Sequence, residues 1–237
     1  MTESKEKKAP FLQTIVLTMM IVVLPLGSWY YLQMGFNYYK DAMSELHEYG
    51  PLPNFALLNQ MGDTIQEEQL KGKVAVISFV PSEAAARKKQ LEITSALFDQ
   101  FDVRDDIIFL LHESKDYALS ADQLIREARE NQLSDSEQLF WLSTDQSTML
   151  DLLGNGYKMP NMAAQREKGS PYPLQADPDP QPGNYPYIIL VDTNLMIRNY
   201  YDYRDDQSVK RLIEHLALIM PRREAKNPAA ARSVENN

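Results

Sequence analysis

The stretch "LKGKVAVISFVPSEAAARKKQLEITSALF", residues 70–98, decides the fold class of this chain. Its apolar run at 74–80 predicts a strand that is buried on both faces, and Pro81 to Glu83 predict a turn. Residues 84–98 then predict a helix whose N-terminus points outward. In many such units the turn carries the reactive group, whereas here three alanines follow it. The sequence therefore predicts a strand–turn–helix unit without a reactive side chain at its turn.

Further strands and helices alternate along the rest of the chain. Two more apolar runs predict buried strands, and each is followed by a stretch of helical periodicity. Two hairpins frame the series, turning at 61–63 and 192–194, and an amphipathic helix closes it. The predicted order is hairpin 55–65, strand 74–80, helix 84–98, strand 107–111, helix 120–131, strand 139–143, helix 147–157, hairpin 187–203 and helix 207–220. This order predicts an α/β domain with a mixed central sheet flanked by helices.

The N-terminal segment predicts where in the cell the protein lies. No charged residue lies between Ala9 and Tyr39, and the apolar stretch 11–36 exceeds the roughly 20 residues that span a hydrocarbon core. Lysines precede it and aromatic residues follow it, which predicts a cytoplasmic N-terminus and an exported body. A cleaved signal peptide is the alternative, but the apolar run is longer than the roughly 7 to 15 residues of such peptides. We therefore favour a single transmembrane helix in a cell inner membrane, with a periplasmic C-terminal domain.

Five segments make up the predicted domain organisation. They are a cytoplasmic tip at 1–10, a transmembrane anchor at 11–36, a juxtamembrane linker at 37–53, a globular domain at 54–220 and a disordered tail at 221–237. Proline and polar residues crowd the segment 159–185, which predicts a long surface loop inside the globular domain. Such loops often carry function, although a tolerated insertion explains this one equally well.

The composition excludes several classes of function. The chain has 237 residues and a net charge of −9, and the acidic excess lies between the anchor and the tail. A field of this sign repels phosphate backbones, so we expect no nucleic-acid partner. The chain has no cysteine, which excludes disulfides, thiolate metal sites and thiol redox chemistry. It also contains no nucleophile elbow, phosphate-binding glycine loop or zinc motif, so we expect neither enzyme activity nor a cofactor.

Four segments resemble the SCO/SenC family of membrane-anchored, thioredoxin-fold proteins. The hairpin and Leu-x-Gly-Lys step at 55–79 are similar to the family's opening, and "IIFLLHESKD" (107–116) resembles its second strand and acidic turn. "FWLSTDQSTMLDLLGNGYKM" (140–159) resembles its tryptophan-containing segment, and 187–203 resembles its closing hairpin. The resemblance covers about residues 52–220. It implies a thioredoxin-like fold and a role connected with cytochrome c oxidase assembly and copper homeostasis.

The residues that carry the family's chemistry are missing. The resemblance implies a Cys-x-x-x-Cys pair after the first core strand and a distant histidine, which carry copper or act in thiol reduction. These positions correspond to a degenerate site formed by Ala84, Ala85, Ala86, Arg87, Lys88 and Asn184. None of these side chains is the thiolate, thioether or imidazole that Cu(I) prefers. Pro186 corresponds to the cis-proline of thioredoxin folds, and both a cis and a trans bond are open here.

Substitute copper ligands give an alternative interpretation. Met159 and Met162 form a Met-x-x-Met pair in the long loop, and His112 ends the second core strand. Two thioethers and an imidazole are soft enough for Cu(I), which would make this a copper-binding or copper-delivery protein. Methionines that fill apolar gaps and a half-exposed structural histidine explain the same residues without a metal.

A protein-binding surface is the remaining prediction. It would lie at the end of the sheet where the family's members meet their client proteins. The candidate residues are Arg87, Lys88, Tyr157, Tyr172, Tyr185 and Tyr187. Tyrosine is enriched at interfaces, where it supplies a large contact area. The sequence therefore predicts a non-catalytic binding or assembly factor for a membrane respiratory complex such as cytochrome c oxidase.

Overall fold

A computed structural model describes residues 8–115, 119–131, 138–157 and 185–221. The chain divides into two compact units, residues 1–45 and 46–237. Four of the predicted site residues lie outside the described residues, so the predictions made on them stay predictions. These are Met159, Met162, Tyr172 and Asn184.

The first unit is a single helix, α1 (Lys8–Ser44), of 37 residues. Its large apolar side chains from Ile15 to Tyr39 are exposed, and its length and hydropathy fit a single-pass anchor or a signal sequence. The helix is longer than the predicted span 11–36 and takes in the first part of the predicted linker. Residues 37–44 contain neither glycine nor proline, so nothing in the sequence ends the helix there.

The second unit is built on one eight-stranded sheet in the order β1-β8-β7-β4-β5-β6-β2-β3. Strands β4, β5 and β6 are parallel to one another, and the remaining pairs are antiparallel. The strands are β1 (Gly50–Pro51), β2 (Ala56–Leu58), β3 (Thr64–Gln66), β4 (Val74–Phe79), β5 (Ile107–Lys115), β6 (Leu139–Asp145), β7 (Tyr187–Val191) and β8 (Met196–Asp202). The predicted mixed sheet is confirmed.

The helices of this unit follow the predicted order with two changes of length. They are α2 (Ala84–Phe101), α3 (Ala121–Glu130), α4 (Gln146–Asp151) and α5 (Asp206–Ile219), together with a short 3₁₀ helix at Glu67–Leu70. Helix α2 continues three residues past the predicted end. The predicted helix 147–157 is α-helical only as far as Asp151 and then widens into a π-helical turn, Leu152–Gly156. Helix α3 begins with a capping box, in which the Ser120 amide donates to Gln123 Oε1 at 2.9 Å.

The core lies on both faces of the central strands. All six residues of β4 are buried, as the continuous apolar run predicts. Along β5 the side chains alternate: Ile108 and Leu110 join the cluster that contains Met149, while the Phe109 ring meets Phe98 of α2 at 5.8 Å. Helix α2 therefore covers one face of the sheet, and α4 with the π-helical turn covers the other.

The second half of the predicted linker belongs to the edge of the sheet. Main-chain amides donate to carbonyls of the β7–β8 hairpin from His47 to Arg198 at 3.1 Å, from Tyr49 to Ile197 at 2.9 Å and from Leu52 to Leu195 at 2.7 Å. The Tyr49 ring also packs against Tyr200, with 4.9 Å between centroids. The sequence could not predict this pairing, because β1 has only 2 residues and its partner lies about 150 residues away along the chain.

Candidate functional site

The degenerate site lies where β4 ends and α2 begins. Glu83 precedes the first helical residue, and its carboxylate accepts hydrogen bonds from the amides of Ala85 at 3.0 Å and Ala86 at 2.8 Å. These two bonds lower the pKa of Glu83 and keep it ionised. Two amides at the N-terminus of the helix, those of Ala85 and Ala86, thus donate to the capping residue Glu83. Of the three alanines, Ala84 and Ala85 expose only methyl groups and backbone.

Behind this turn, Arg87 joins three elements through a buried ion pair. Its guanidinium donates to Glu113 Oε1 of β5 at 2.9 Å and to Glu127 Oε2 of α3 at 2.7 Å. It also lies over the Trp141 ring of β6, 5.6 Å from the centroid. Trp141 in turn donates its indole N–H to Glu113 Oε2 at 2.9 Å. Both carboxylate oxygens of Glu113 therefore have a partner.

The charges of this cluster balance. Lys115 Nζ lies 3.4 Å from Glu113 Oε1 and 3.3 Å from Glu127 Oε1, so two cations face two carboxylates. The Glu113 side chain is only 3% exposed, and a carboxylate at that depth is tolerated because it is paired and hydrogen-bonded. We call these residues, with Trp141, the Arg87 cluster. It fixes the head of α2 against β5, β6 and α3.

His112 lies on the opposite face of β5, where the sequence predicted a half-exposed histidine. That prediction is wrong, since the imidazole is fully buried and stacks on Phe79 at 5.5 Å. Its Nε2 is 2.9 Å from the Tyr157 hydroxyl, and its Nδ1 has no hydrogen-bond partner among the described residues. Burial lowers the pKa of His112 to about 3, so the ring is neutral at neutral pH.

Three of the predicted surface tyrosines belong to the core instead. Tyr157, Tyr185 and Tyr187 are at most 4% exposed. Tyr157 accepts a hydrogen bond on its carbonyl from the Tyr200 hydroxyl at 2.8 Å, and burial raises the pKa of its own hydroxyl. The interpretation of these three rings as exposed anchors is therefore corrected, because Tyr157 and Tyr185 pack against Phe79 and Tyr187 packs against Tyr185 in the core. Periodicity alone could not distinguish a loop tyrosine at an interface from one that folds inward.

The two basic candidates have different surroundings. Arg87 is held inside its cluster, with 22% of its side chain exposed, whereas Lys88 is 78% exposed. Within the described part of the chain, Lys88 has a carboxylate neighbour in Glu92, at 3.8 Å on the next turn of α2. Of the predicted pair, Lys88 is thus the cation that faces solvent.

Pro186 leads directly into β7. Its peptide bond to Tyr185 is trans, which decides between the two open alternatives. The Pro186 carbonyl accepts from the Tyr203 amide at 3.0 Å, so it takes part in the β7–β8 hairpin.

A soft copper ion does not fit the residues at this turn. The alanine side chains have no donor atom, and the polar side chains around them are the Glu83 carboxylate that caps the helix, the cation Arg87 and the carboxylates paired with it, none of which is a soft ligand. His112 offers one ring nitrogen to Tyr157 and is enclosed by aromatic rings. Within the described residues, no group of three or more histidine, aspartate or glutamate side chains is placed to hold a metal ion.

Sequence reasoning missed the Arg87 cluster. Glu113, Glu127 and Trp141 lie on three different elements, and only the fold brings them to Arg87. One signal was available: a charged residue, Glu113, follows the apolar run of β5 with only His112 between them. A carboxylate in a buried strand requires a partner, but the sequence does not say which cation supplies it.

Comparison with known proteins gives a likeness in structure alone. No family model and no curated protein sequence matches the chain. Among solved structures, BsSco, described as a member of the Sco family of cytochrome c oxidase assembly proteins, is 14% identical with a TM-score of 0.53; the match covers 75% of this chain and 97% of BsSco. A SCO1/SenC family lipoprotein from Bacillus anthracis is 13% identical with a TM-score of 0.52, over 73% of this chain and 99% of the lipoprotein.

These likenesses establish the fold. The second unit is a thioredoxin-like domain, as predicted, and the resemblance to SCO/SenC proteins is confirmed at the level of the fold. At 13 to 14% identity the likeness does not carry over an activity. What the domain does has to be argued from its own residues.

Proposed function

We propose that this chain is a membrane-anchored, exported SCO-like protein that acts without redox or copper ligands. Its role is that of a non-catalytic binding or assembly factor for a membrane respiratory complex such as cytochrome c oxidase. The proposal places the N-terminus in the cytoplasm, the anchor at 11–36 in the inner membrane and the domain at 54–220 in the periplasm.

The observation that carries the proposal is the Arg87–Glu113 ion pair at the head of α2. On a thioredoxin-like fold this is where the family resemblance puts the thiol pair. The same fold occurs in BsSco, a member of a family of cytochrome c oxidase assembly proteins. A retained scaffold whose reactive position is filled by a balanced ion pair supports a binding role.

The chemistry of the described side chains supports the non-catalytic part of the proposal. Methyl groups at Ala84 to Ala86 cannot act as nucleophile, acid or base. Glu113 is paired on both oxygens, and neutral His112 is fully buried. Neither Glu113 nor His112 can reach a substrate without breaking the packing that holds it.

The test is purification of the full chain from its own membranes in a mild detergent. We expect subunits of a respiratory oxidase, or of its assembly intermediate, to co-purify in a fixed ratio. Charge reversal on the exposed Lys88 should leave folding unchanged and report whether the head of α2 contributes to the contact. Recovery of the chain without any oxidase component, under conditions that keep the oxidase intact, would contradict the proposal.

A Cu(I) titration against a competing chelator separates the copper interpretation from this one. His112 is a weak candidate ligand because its Nε2 is engaged and its ring is enclosed. We expect no binding tighter than about micromolar affinity. Tight binding that Met159→Leu with Met162→Leu abolishes would make the protein a copper carrier with substitute ligands.

A further inference from the structure

A groove runs along the outer side of α2 and starts at the degenerate site. It has a volume of about 500 Å³. Ala84, Leu91 and Ala96 form its apolar part, and Arg87, Lys88, Glu92 and Asp99 carry its charges. Asn131, at the end of α3, closes one side. The groove therefore joins the head of α2, where the family resemblance puts the reactive pair, to the last turn of the same helix.

The dimensions of the groove suit a helical segment. From Ala84 to Asp99 the helix rises roughly 22 Å, at about 1.5 Å per residue. The small side chains Ala84 and Ala96 allow a neighbouring backbone to approach closely, and the lining residues recur at the three- and four-residue spacing that a second helix can interlock with. An α-helix of about fifteen residues would span it.

The charges of the groove favour a basic occupant, because Arg87 is already paired with Glu113 and Glu127 and Lys88 faces Glu92, which leaves an excess negative charge at Asp99. The carboxylate of Asp99 is exposed and makes no ion pair with any described residue. Glu92, seven residues earlier and so on the same side of the helix, has only Lys88 at 3.8 Å, with both side chains largely exposed. The two carboxylates lie about 10 Å apart along α2. Two cations seven positions apart on a partner helix would meet both.

The charge of the whole protein acts in the same direction. A net charge of −9 attracts a cationic partner and repels a second copy of this acidic chain. The Arg87 cluster keeps the head of the groove rigid, so an occupant does not have to order it on binding.

From this geometry we infer that the α2 groove is a docking site for a basic amphipathic helix of a partner protein. The inference rests on the proposed binding function and names the surface and the chemistry of the partner. Small apolar side chains of that helix would lie over Ala84 and Ala96, and lysine or arginine would pair with Asp99 and Glu92. The docking surface is thus the side of α2, and the buried tyrosines take no part in it.

The test uses the full chain in an uncharged detergent and two synthetic peptides of about eighteen residues. Both consist of alanine and leucine on a helical pattern; one has lysines seven positions apart, and the other has glutamates at the same places. Titration calorimetry should show saturable binding of one lysine peptide per chain and no binding of the glutamate peptide. Asp99→Lys should weaken the lysine peptide about tenfold, since charge reversal removes a pair and adds a repulsion.

The matched control is Glu68→Lys, which makes the same change of charge elsewhere. Glu68 is exposed, and its neighbour Leu70 packs into the core on the face of the sheet opposite α2. This control should change the affinity less than twofold. Equal weakening by both variants would show attraction to overall charge alone and would overturn the inference, as would the absence of binding.

The chain's own basic C-terminal residues are the rival occupant. Arg222 and Arg223 follow Pro221, whose carbonyl accepts from Arg104 just beyond the end of α2 at 2.8 Å. If the lysine peptide binds only after residues 222–237 are removed, that segment holds the groove and the partner helix is overturned as its occupant. Oxidase co-purification is a separate readout, because it can succeed through another surface when the groove binds nothing.

Discussion

The Arg87 cluster should make the head of α2 depend on two oppositely charged residues that stabilise each other. Replacing Arg87 with methionine keeps most of the side chain's volume but leaves the Glu113 carboxylate, 3% exposed, with Lys115 as its only cation. Replacing Glu113 with glutamine keeps the shape and an acceptor for Trp141. In that variant Arg87 retains Glu127 and some contact with water. The two single substitutions should therefore lower the free energy of unfolding by different amounts.

The magnitudes follow from the burial of each group. Removing one partner of a buried ion pair costs about 3 to 5 kcal/mol when the other is left unpaired, and we expect Arg87→Met to lie near 3 kcal/mol because Lys115 compensates in part. Glu113→Gln should cost about 2 kcal/mol, the value of a charge-assisted hydrogen bond. The double variant should cost less than the sum of the two, with a coupling of at least about 1 kcal/mol.

Urea unfolding of the domain in the full chain measures these changes. The chain has two tryptophans, so a Trp29→Phe background leaves Trp141, which touches the cluster, as the reporter. Lys88→Met is the matched control, because its pair with Glu92 is 78% and 66% exposed and should contribute less than about 0.5 kcal/mol. Additive single changes of that same small size would refute the reasoning that the cluster holds the head of α2.

Two further predictions concern His112 and Gly156. Burial holds the pKa of His112 at about 3 in the folded protein, against 6.5 for a free imidazole, so as the pH falls the unfolded chain binds the proton first. The contribution of the neutral ring to the free energy of unfolding is complete above pH 6.5. It falls toward pH 3 by up to about 1.4 kcal/mol per pH unit. His112→Phe should flatten that part of the profile of urea midpoint against pH, and an unchanged slope would argue against a buried neutral ring. A Cβ on Gly156 would lie 2.8 Å from Pro53 Cβ, so Gly156→Ala should lower the free energy of unfolding by about 1 to 3 kcal/mol, which thermal melting measures. The control is Gly154→Ala, which should not destabilise the domain because a Cβ there would meet nothing within 4 Å.

Local patterns predicted most of the fold because the relevant information is local. The run at 74–80 has no polar interruption other than Ser78, and such a run is stable only as a strand covered on both faces. Gly62, at φ +88°, marks the β2–β3 turn, since a left-handed backbone favours glycine. The linker was predicted less well: Gly50 and Pro51 indicate a break, and nothing in them identifies β8 as a pairing partner.

The site shows the same division between local and distant information. The three alanines and the missing cysteines could be found in the sequence, because each concerns what a single position contains. Whether Arg87 faces a partner protein or carboxylates of its own chain depends on Glu113 and Glu127, which lie 26 and 40 positions away. The spacing of these residues along the chain does not predict that contact. Tyr157 and His112 likewise meet across 45 residues, which is why a surface anchor and a half-exposed histidine were predicted in place of a buried pair.

By itself, then, the sequence determined the class of the protein: an apolar N-terminal helix, an α/β domain with a mixed sheet, and no thiol for redox chemistry or a thiolate metal site. These follow from composition and periodicity, which act within a few residues of each position. Only the tertiary structure decided what replaced that chemistry. The strands β5 and β6 bring Glu113 and Trp141 beneath Arg87, and burial removes water from the pair, so the charges must satisfy one another. A buried charge is stable only where the fold supplies its partner, and that partner comes from a distant part of the chain.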